Sequence, residues 1–104
     1  MAVKATRREK RKAAKMASYL VTYDLNKETK RPDILTDVKA FGGYAMLSES
    51  SYAITSNLTA DAIFQALSKH LDSNDSCYVI HLDRPYSGQG PIKVNEWLEA
   101  HLDY

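Results

Sequence analysis

The sequence predicts an α+β domain with the element order β-α-β-β-α-β, followed by a C-terminal extension. Apolar residues change along the chain between a two-residue period, which is typical of strands, and a three- to four-residue period, which is typical of helices. The chain of 104 residues, 44% hydrophobic and 26% charged, has the size and composition of one globular domain with one hydrophobic core.

The first half begins with a strand and continues into a helix. Residues 18–25, SYLVTYDL, are rich in β-branched and aromatic side chains and predict the first strand. After the polar segment NKETK, Pro32 suits the first position of a helix, and apolar residues then recur at helical spacing. The pair Gly42 and Gly43 ends this helix, which is therefore predicted over about residues 32–41.

The second half predicts a hairpin, a helix and a last strand. Residues 44–57 contain two short β-type runs, YAMLSES and SYAITSN, of the kind that a hairpin joins. Thr59 is a good N-cap, and the apolar residues after it form one stripe, which predicts a helix over about residues 60–71. DSND is a turn cluster, and CYVIHL at residues 77–82 predicts the last strand.

Two strand–helix–strand halves joined through a hairpin are typical of the ferredoxin-like fold. Right-handed crossovers place both helices on one face of a four-stranded antiparallel sheet, and we expect the first and last strands in the middle of that sheet. The first strand carries bulky side chains on both faces, so the face without helices would expose apolar area. A partner that covers this face, as in a homodimer, is therefore expected.

Three segments organise the chain: a basic N-terminal arm at residues 1–17, expected to be disordered, the ferredoxin-like domain at 18–83, and the extension at 84–104. The extension opens with the loop RPYSGQGP and closes with the apolar segment IKVNEWLEAHLDY. We expect it to dock on the sheet or on a dimer partner, with Trp97 as the anchor.

Charge is divided unevenly between the arm and the rest of the chain. Residues 1–15 contain seven basic side chains and one acidic side chain, whereas residues 16–104 contain seven basic and twelve acidic ones. A basic block is typical of a mobile arm that attracts polyanions, so it predicts contact with RNA or DNA. The predicted nucleic-acid-binding residues of the arm are Arg7, Arg8, Lys10, Arg11 and Lys12. Alternatively, Met16 is the natural start and the segment before it is an upstream extension.

Several functional classes are disfavoured by the motifs that the sequence lacks. No apolar stretch approaches the roughly 20 residues that cross a bilayer, so we expect a cytoplasmic protein without a membrane partner. The single Cys77 lies in an apolar run and is expected as a buried thiol in a reducing compartment. There is no phosphate-binding glycine loop, no HExxH and no CxxC motif, which disfavours nucleotide-binding folds and zinc enzymes.

Asp24 is the remaining candidate for chemistry. It ends the first strand on the same side as Thr22, at the seam expected between two sheets of a dimer. Two symmetry-related carboxylates could hold one Mg²⁺ against a phosphodiester, because Mg²⁺ commonly takes one or two carboxylates with waters and a phosphate. The alternative is a turn residue whose side chain caps the backbone near Asn26.

Four stretches of the sequence resemble a known family: YLVTYDLNK, LSESSYAITS, KHLDSNDSCYVIHL and EWLEAHL. Over about residues 18–103 the chain resembles the SinR-like proteins, relatives of the CRISPR-associated protein 2 endoribonuclease family. The resemblance implies a ferredoxin-like homodimer in which Asp24 is the catalytic and metal-binding residue of a Mg²⁺-dependent endonuclease acting on RNA or DNA. Tyr23 corresponds to the tyrosine that flanks this aspartate.

Further predicted contacts and a second candidate function complete the interpretation. The basic residues near Asp24 that would bind a phosphate backbone are Lys27, Lys30 and Arg31. The predicted dimer interface includes Tyr23 and Trp97. Members of such families also serve as non-catalytic dimeric modules that bind nucleic acid or protein partners, which is the alternative function.

Overall fold

The computed structural model describes residues 16–103 and confirms the predicted fold class, an α+β domain with a four-stranded antiparallel sheet. Its elements in chain order are β1 Ala17–Asp24, a 3₁₀ turn Glu28–Lys30, α1 Arg31–Ala40, β2 Tyr44–Ser48, β3 Ser51–Ser56, α2 Ala60–Ser68, β4 Ser76–Leu82 and α3 Ile92–His101. The predicted arm residues Arg7, Arg8, Lys10, Arg11 and Lys12 lie outside the described residues. No helix within 16–103 has the length and apolar character of a membrane span.

The strands follow the order β2-β3-β1-β4, so β1 and β3 are central and β4 lies at an edge. The expectation that the first and last strands occupy the middle was therefore wrong. One side of β1 pairs with β3 and the other with β4, and the hairpin places β2 outside β3. Asp24 consequently lies at the end of a central strand, opposite Ser76 of the edge strand β4.

The core lies between the sheet and the pair α1 and α2, which pack on the same face. On this face β1 contributes Tyr19, Val21 and Tyr23. The helices add Ile34, Val38, Ile63 and Leu67, all almost completely buried. Helix α2 begins at the predicted N-cap, where the Thr59 hydroxyl accepts a hydrogen bond from the Ala62 N–H. It ends three residues earlier than predicted, because tighter turns with i to i+3 hydrogen bonds follow Ser68.

The extension docks on the sheet of its own chain, on the face opposite α1 and α2. The Ser18 hydroxyl donates a 3.0 Å hydrogen bond to the His101 carbonyl, and Leu102 is buried. The Arg84 guanidinium donates to the carbonyl groups of Leu102 and Glu99. Helix α3 therefore covers the part of this face where β1 begins and leaves the part near Asp24 uncovered.

Candidate metal and nucleic-acid site at the end of β1

The carboxylate of Asp24 is exposed at the end of β1, on the same face of the sheet as Thr22. The Thr22 hydroxyl lies 3.0 Å from the Ser51 hydroxyl, so a hydrogen bond between side chains also joins β1 to β3 here. Within residues 16–103 the Asp24 carboxylate makes no hydrogen bond and no ion pair. It is therefore available to a ligand that approaches this end of the sheet.

The turn role considered for Asp24 belongs to a different aspartate. The Asn26 N–H donates a 2.8 Å hydrogen bond to Oδ1 of Asp75, in the loop that precedes β4. Oδ2 of Asp75 accepts from the Asp72 N–H at 3.0 Å and from Nζ of Lys30 at 2.6 Å. The sequence indicated only a turn at DSND, and it did not reveal that this loop holds the segment after Asp24.

Lys30 lies in a cage of oxygen atoms beside the same loop. Its ammonium group contacts Asp72 Oδ2 at 2.5 Å, Asp75 Oδ2 at 2.6 Å and Asn26 Oδ1 at 2.9 Å. The Lys30 side chain is only 18% exposed. In this arrangement its charge is neutralised within the protein, so binding a phosphate backbone would require exchange of these partners.

Arg31 is also occupied by partners from its own chain. Its guanidinium pairs with the Glu28 carboxylate at 2.6 and 3.1 Å, donates to the Glu49 carbonyl and lies 5.6 Å from the centre of the Tyr23 ring. By contrast, Lys27 is exposed, and its side chain has no partner within the described range. Of the three basic residues predicted near Asp24, Lys27 is therefore the one whose charge is not already paired within the described residues.

The two aromatic residues predicted at a dimer interface occupy different environments. Tyr23 is only 4% exposed and lies on the core face, where its hydroxyl donates to the Glu49 carbonyl at 3.2 Å. This corrects the prediction for Tyr23, because a partner chain could not reach a ring beneath the helix layer. Trp97 is half-buried on α3 and stacks on His101 with ring centres 4.1 Å apart.

A partly apolar surface adjoins Asp24 on the face opposite α1 and α2. It comprises Leu20 and Thr22 of β1 and their pairing partners Ile80 and Tyr78 of β4, and we call it the open face. Tyr78 is 64% exposed and Ile80 is 50% exposed. Exposed apolar area of this kind, bordered by polar groups, is typical of an interaction surface.

One described chain offers too few ligands for a complete metal site. Within residues 16–103, no group of three or more His, Cys, Asp or Glu side chains is placed to hold a metal ion. A single carboxylate from Asp24 nevertheless suits Mg²⁺, which retains several waters and is often bound by one or two carboxylates.

Cys77 is poorly suited to nucleophilic chemistry. It is half-buried in β4, and burial raises the pKa of its thiol to about 11. The thiolate, which is the nucleophilic form, is therefore scarce at neutral pH.

The Asp75 carboxylate predicts a specific pH dependence of stability. The Lys30 ammonium and the Asn26 N–H lower the pKa of this group from its ordinary value of 3.8 to about 2. A carboxyl whose pKa falls on folding stabilises the native state above its unfolded pKa, and this stabilisation is lost as the pH falls through the folded pKa. We therefore expect the stability advantage of the parent over Asp75→Asn to shrink between about pH 4 and pH 2. Urea unfolding of both proteins across this range measures it, and parallel curves would contradict the assignment.

Comparisons with known proteins support the fold. No protein-family model and no curated protein matches this chain. Among solved structures, it is similar to the crystal structure of a hypothetical protein, TT1823, from Thermus thermophilus. The two are 20% identical with a TM-score of 0.56, and the match covers 74% of this chain and 96% of that chain. At this identity the likeness shows a shared fold and nothing further.

Proposed function

We propose that this protein is a homodimeric, Mg²⁺-dependent phosphodiesterase that cleaves RNA or DNA, as the resemblance to the CRISPR-associated protein 2 family implies. Asp24 of each chain would be the catalytic and metal-binding residue. The observation that carries the proposal is the state of the Asp24 carboxylate, which is exposed and has no partner within residues 16–103. The carboxylates of Asp72 and Asp75, in the loop before β4, are instead engaged by Lys30.

In the proposed cleavage reaction, Asp24 and Lys27 have different roles. Carboxylate oxygens of Asp24 would hold Mg²⁺, which when bound favours ionisation of a water and stabilises charge on a phosphate. Lys27, exposed three residues further on, is placed to attract the phosphate backbone. Attack of water on phosphorus would break one P–O ester bond and leave a phosphate monoester and a hydroxyl group.

The open face supports the homodimer. Tyr78 and Ile80 stand exposed on it, and a second copy would remove their apolar area from water. Asp24 adjoins this surface, so a twofold axis near the end of β1 would bring two carboxylates towards one another. Helix α3, which covers the other part of the face, would then lie away from the axis.

Metal binding tests the proposal without relying on activity. In a Mn²⁺ titration followed by electron paramagnetic resonance, we expect one ion per two chains in the parent and none at this site in Asp24→Asn. Asp61→Asn is a matched control, because Asp61 is an exposed carboxylate on α2, which covers the opposite face of the sheet. Equal binding by the parent and Asp24→Asn would refute the role of Asp24.

A second candidate is a non-catalytic dimeric module that binds nucleic acid or a protein partner. It is favoured by the engagement of Lys30 and Arg31 in intramolecular ion pairs and by the acidic balance of residues 16–104. In that case the basic arm would supply the affinity, and Asp24 would have no metal.

Removal of residues 1–15 tests the contribution of the arm to either function. Each phosphate contact adds about 0.7 to 0.9 to the slope of log affinity against log salt concentration. Because the removed segment contains seven basic side chains, we expect a markedly flatter slope for the shortened protein. Fluorescence anisotropy with labelled RNA and duplex DNA at several salt concentrations measures it. An unchanged slope would show that the arm does not touch phosphate.

A further inference from the structure

We infer that Asp75 is a positioning residue for the Asp24 site, holding the backbone that leaves Asp24 against the start of β4. This inference rests on the proposed function. The loop that contains Asp75 is the DSND turn, and the proposed chemistry gives that turn no role.

The contacts of Asp75 join three segments. Its side chain is fully buried, with 0% exposure. Oδ1 accepts from the Asn26 N–H at 2.8 Å, and Oδ2 accepts from the Asp72 N–H at 3.0 Å and from Lys30 Nζ at 2.6 Å. Carboxylates with several charge-assisted hydrogen bonds form short, well-oriented contacts, so this one fixes the groups around it.

These contacts hold the chain immediately beyond the metal ligand. Asp24 itself is paired with Ser76 in the β1–β4 ladder, and Asn26 is tied to Asp75, the residue before Ser76. The chain is therefore held to β4 at Asp24 and, two residues later, to the residue that precedes β4. Without the second attachment, β1 would be free to separate from β4 at its last residue.

The expected consequence is a looser metal ligand. A misplacement of about 1 Å at a reacting group can cost about 100-fold in rate. Groups that orient metal ligands from behind typically contribute about 10- to 100-fold in metal affinity or activity. We therefore expect loss of the Asp75 to Asn26 bond to lower both the Mn²⁺ affinity and the turnover number.

Asp75→Asn breaks this bond and also removes one of the two negative charges that face Lys30. An asparagine has one side-chain oxygen, which cannot accept from Asn26 on one side and from Lys30 and Asp72 on the other. Turning the oxygen towards Lys30 and Asp72 keeps two donors satisfied, so the amide NH₂ is left facing the Asn26 N–H. Asp72→Asn is the matched control, because Asp72 contacts Lys30 and the Asn74 N–H but not Asn26.

The experiment compares the parent, Asp75→Asn and Asp72→Asn by Mn²⁺ titration and by the kinetics of Mg²⁺-dependent cleavage, at a temperature where all three are folded. We expect Asp75→Asn to lose about tenfold or more in Mn²⁺ affinity and in kcat, with little change in KM, and Asp72→Asn to stay within about twofold of the parent. In a protein that already carries Asp24→Asn, adding Asp75→Asn should lower neither the remaining Mn²⁺ affinity nor the remaining kcat, because the effect of Asp75 acts through Asp24.

Two outcomes separate this inference from the proposed function. If Asp24→Asn abolishes metal binding while Asp75→Asn behaves as the parent, the positioning role is wrong and the proposed function stands. If Asp24→Asn itself binds Mn²⁺ as the parent does, the proposed function fails and the inference fails with it.

A measurement on the parent protein tests the same bond without a variant. Hydrogen exchange followed by nuclear magnetic resonance should show the Asn26 amide protected, because its N–H is bound to a buried carboxylate. Exchange of the Asn26 amide at the rate of an unfolded chain would overturn the inference even if Asp75→Asn failed to fold.

Discussion

Asp24→Ala is expected to lower Mg²⁺-dependent cleavage of RNA or DNA by about 1,000-fold or more. A bound metal contributes several kcal/mol to the stabilisation of a phosphoryl-transfer transition state, and each 1.36 kcal/mol corresponds to about tenfold in rate. The variant loses the ligand that holds the ion, while the fold is expected to tolerate the change because the Asp24 side chain is exposed and its carboxylate makes no hydrogen bond or ion pair within the described residues. Cleavage of end-labelled RNA and duplex DNA, with Mg²⁺ and with EDTA, measures the effect.

Asp61→Ala is the control for this experiment, since it removes an exposed carboxylate from α2. It should cleave at the rate of the parent. If Asp24→Ala also cleaves at that rate, or if EDTA leaves cleavage by the parent unchanged, the activity has another origin and the second candidate function is preferred.

Gly42→Ala is expected to lower the free energy of unfolding by about 3 kcal/mol, the range of a forced overpacking. A Cβ at position 42 would lie 2.2 Å from the carbonyl oxygen of Thr55, well inside van der Waals contact. That oxygen belongs to the backbone of β3, so it cannot move aside as a flexible side chain could. The neighbouring Gly43 is held to Thr55 by a 2.8 Å backbone hydrogen bond and a 3.0 Å bond to the hydroxyl, which prevents the two segments from separating.

Gly88→Ala offers a matched control, because nothing lies within 4 Å of a Cβ at that position. Its free energy of unfolding should stay within about 0.5 kcal/mol of the parent, as is usual for surface substitutions. Urea unfolding followed by circular dichroism compares the three proteins. Coincident curves for Gly42→Ala and the parent would mean that the segment before β2 does not approach Thr55 of β3 as closely as described.

The order of elements was predictable because it depends on local periodicity. Alternating residues in β1 and the apolar stripe of α2 after Thr59 are visible in the sequence alone. The place of β4 at the sheet edge was not predictable in this way, since it depends on pairing between distant segments. Tyr23 was likewise predicted at a dimer interface, whereas it lies in the core, because β1 carries bulky side chains on both faces and the sequence does not say which face the helices cover.

The ion pairs of the site also differ in how far the sequence could predict them. Glu28 and Arg31 are three residues apart, a spacing at which helical ion pairs form, so their pairing could have been expected. Lys30 and Asp75 are separated by 45 residues and meet only in the folded sheet. Asp75 also accepts the hydrogen bond from the Asn26 N–H, the turn contact that was considered as an alternative role for Asp24.

The central claim is that two copies of the chain bring their Asp24 carboxylates to one metal ion. A crystal structure of the protein grown with Mn²⁺, located by its anomalous scattering, tests this most directly. We predict a peak on a twofold axis with Asp24 of both protomers as ligands, at oxygen–metal distances of about 2 Å, as found for small hard divalent cations. A dimer in which the two carboxylates lie far apart, or a monomer without a metal peak at Asp24, would contradict the account.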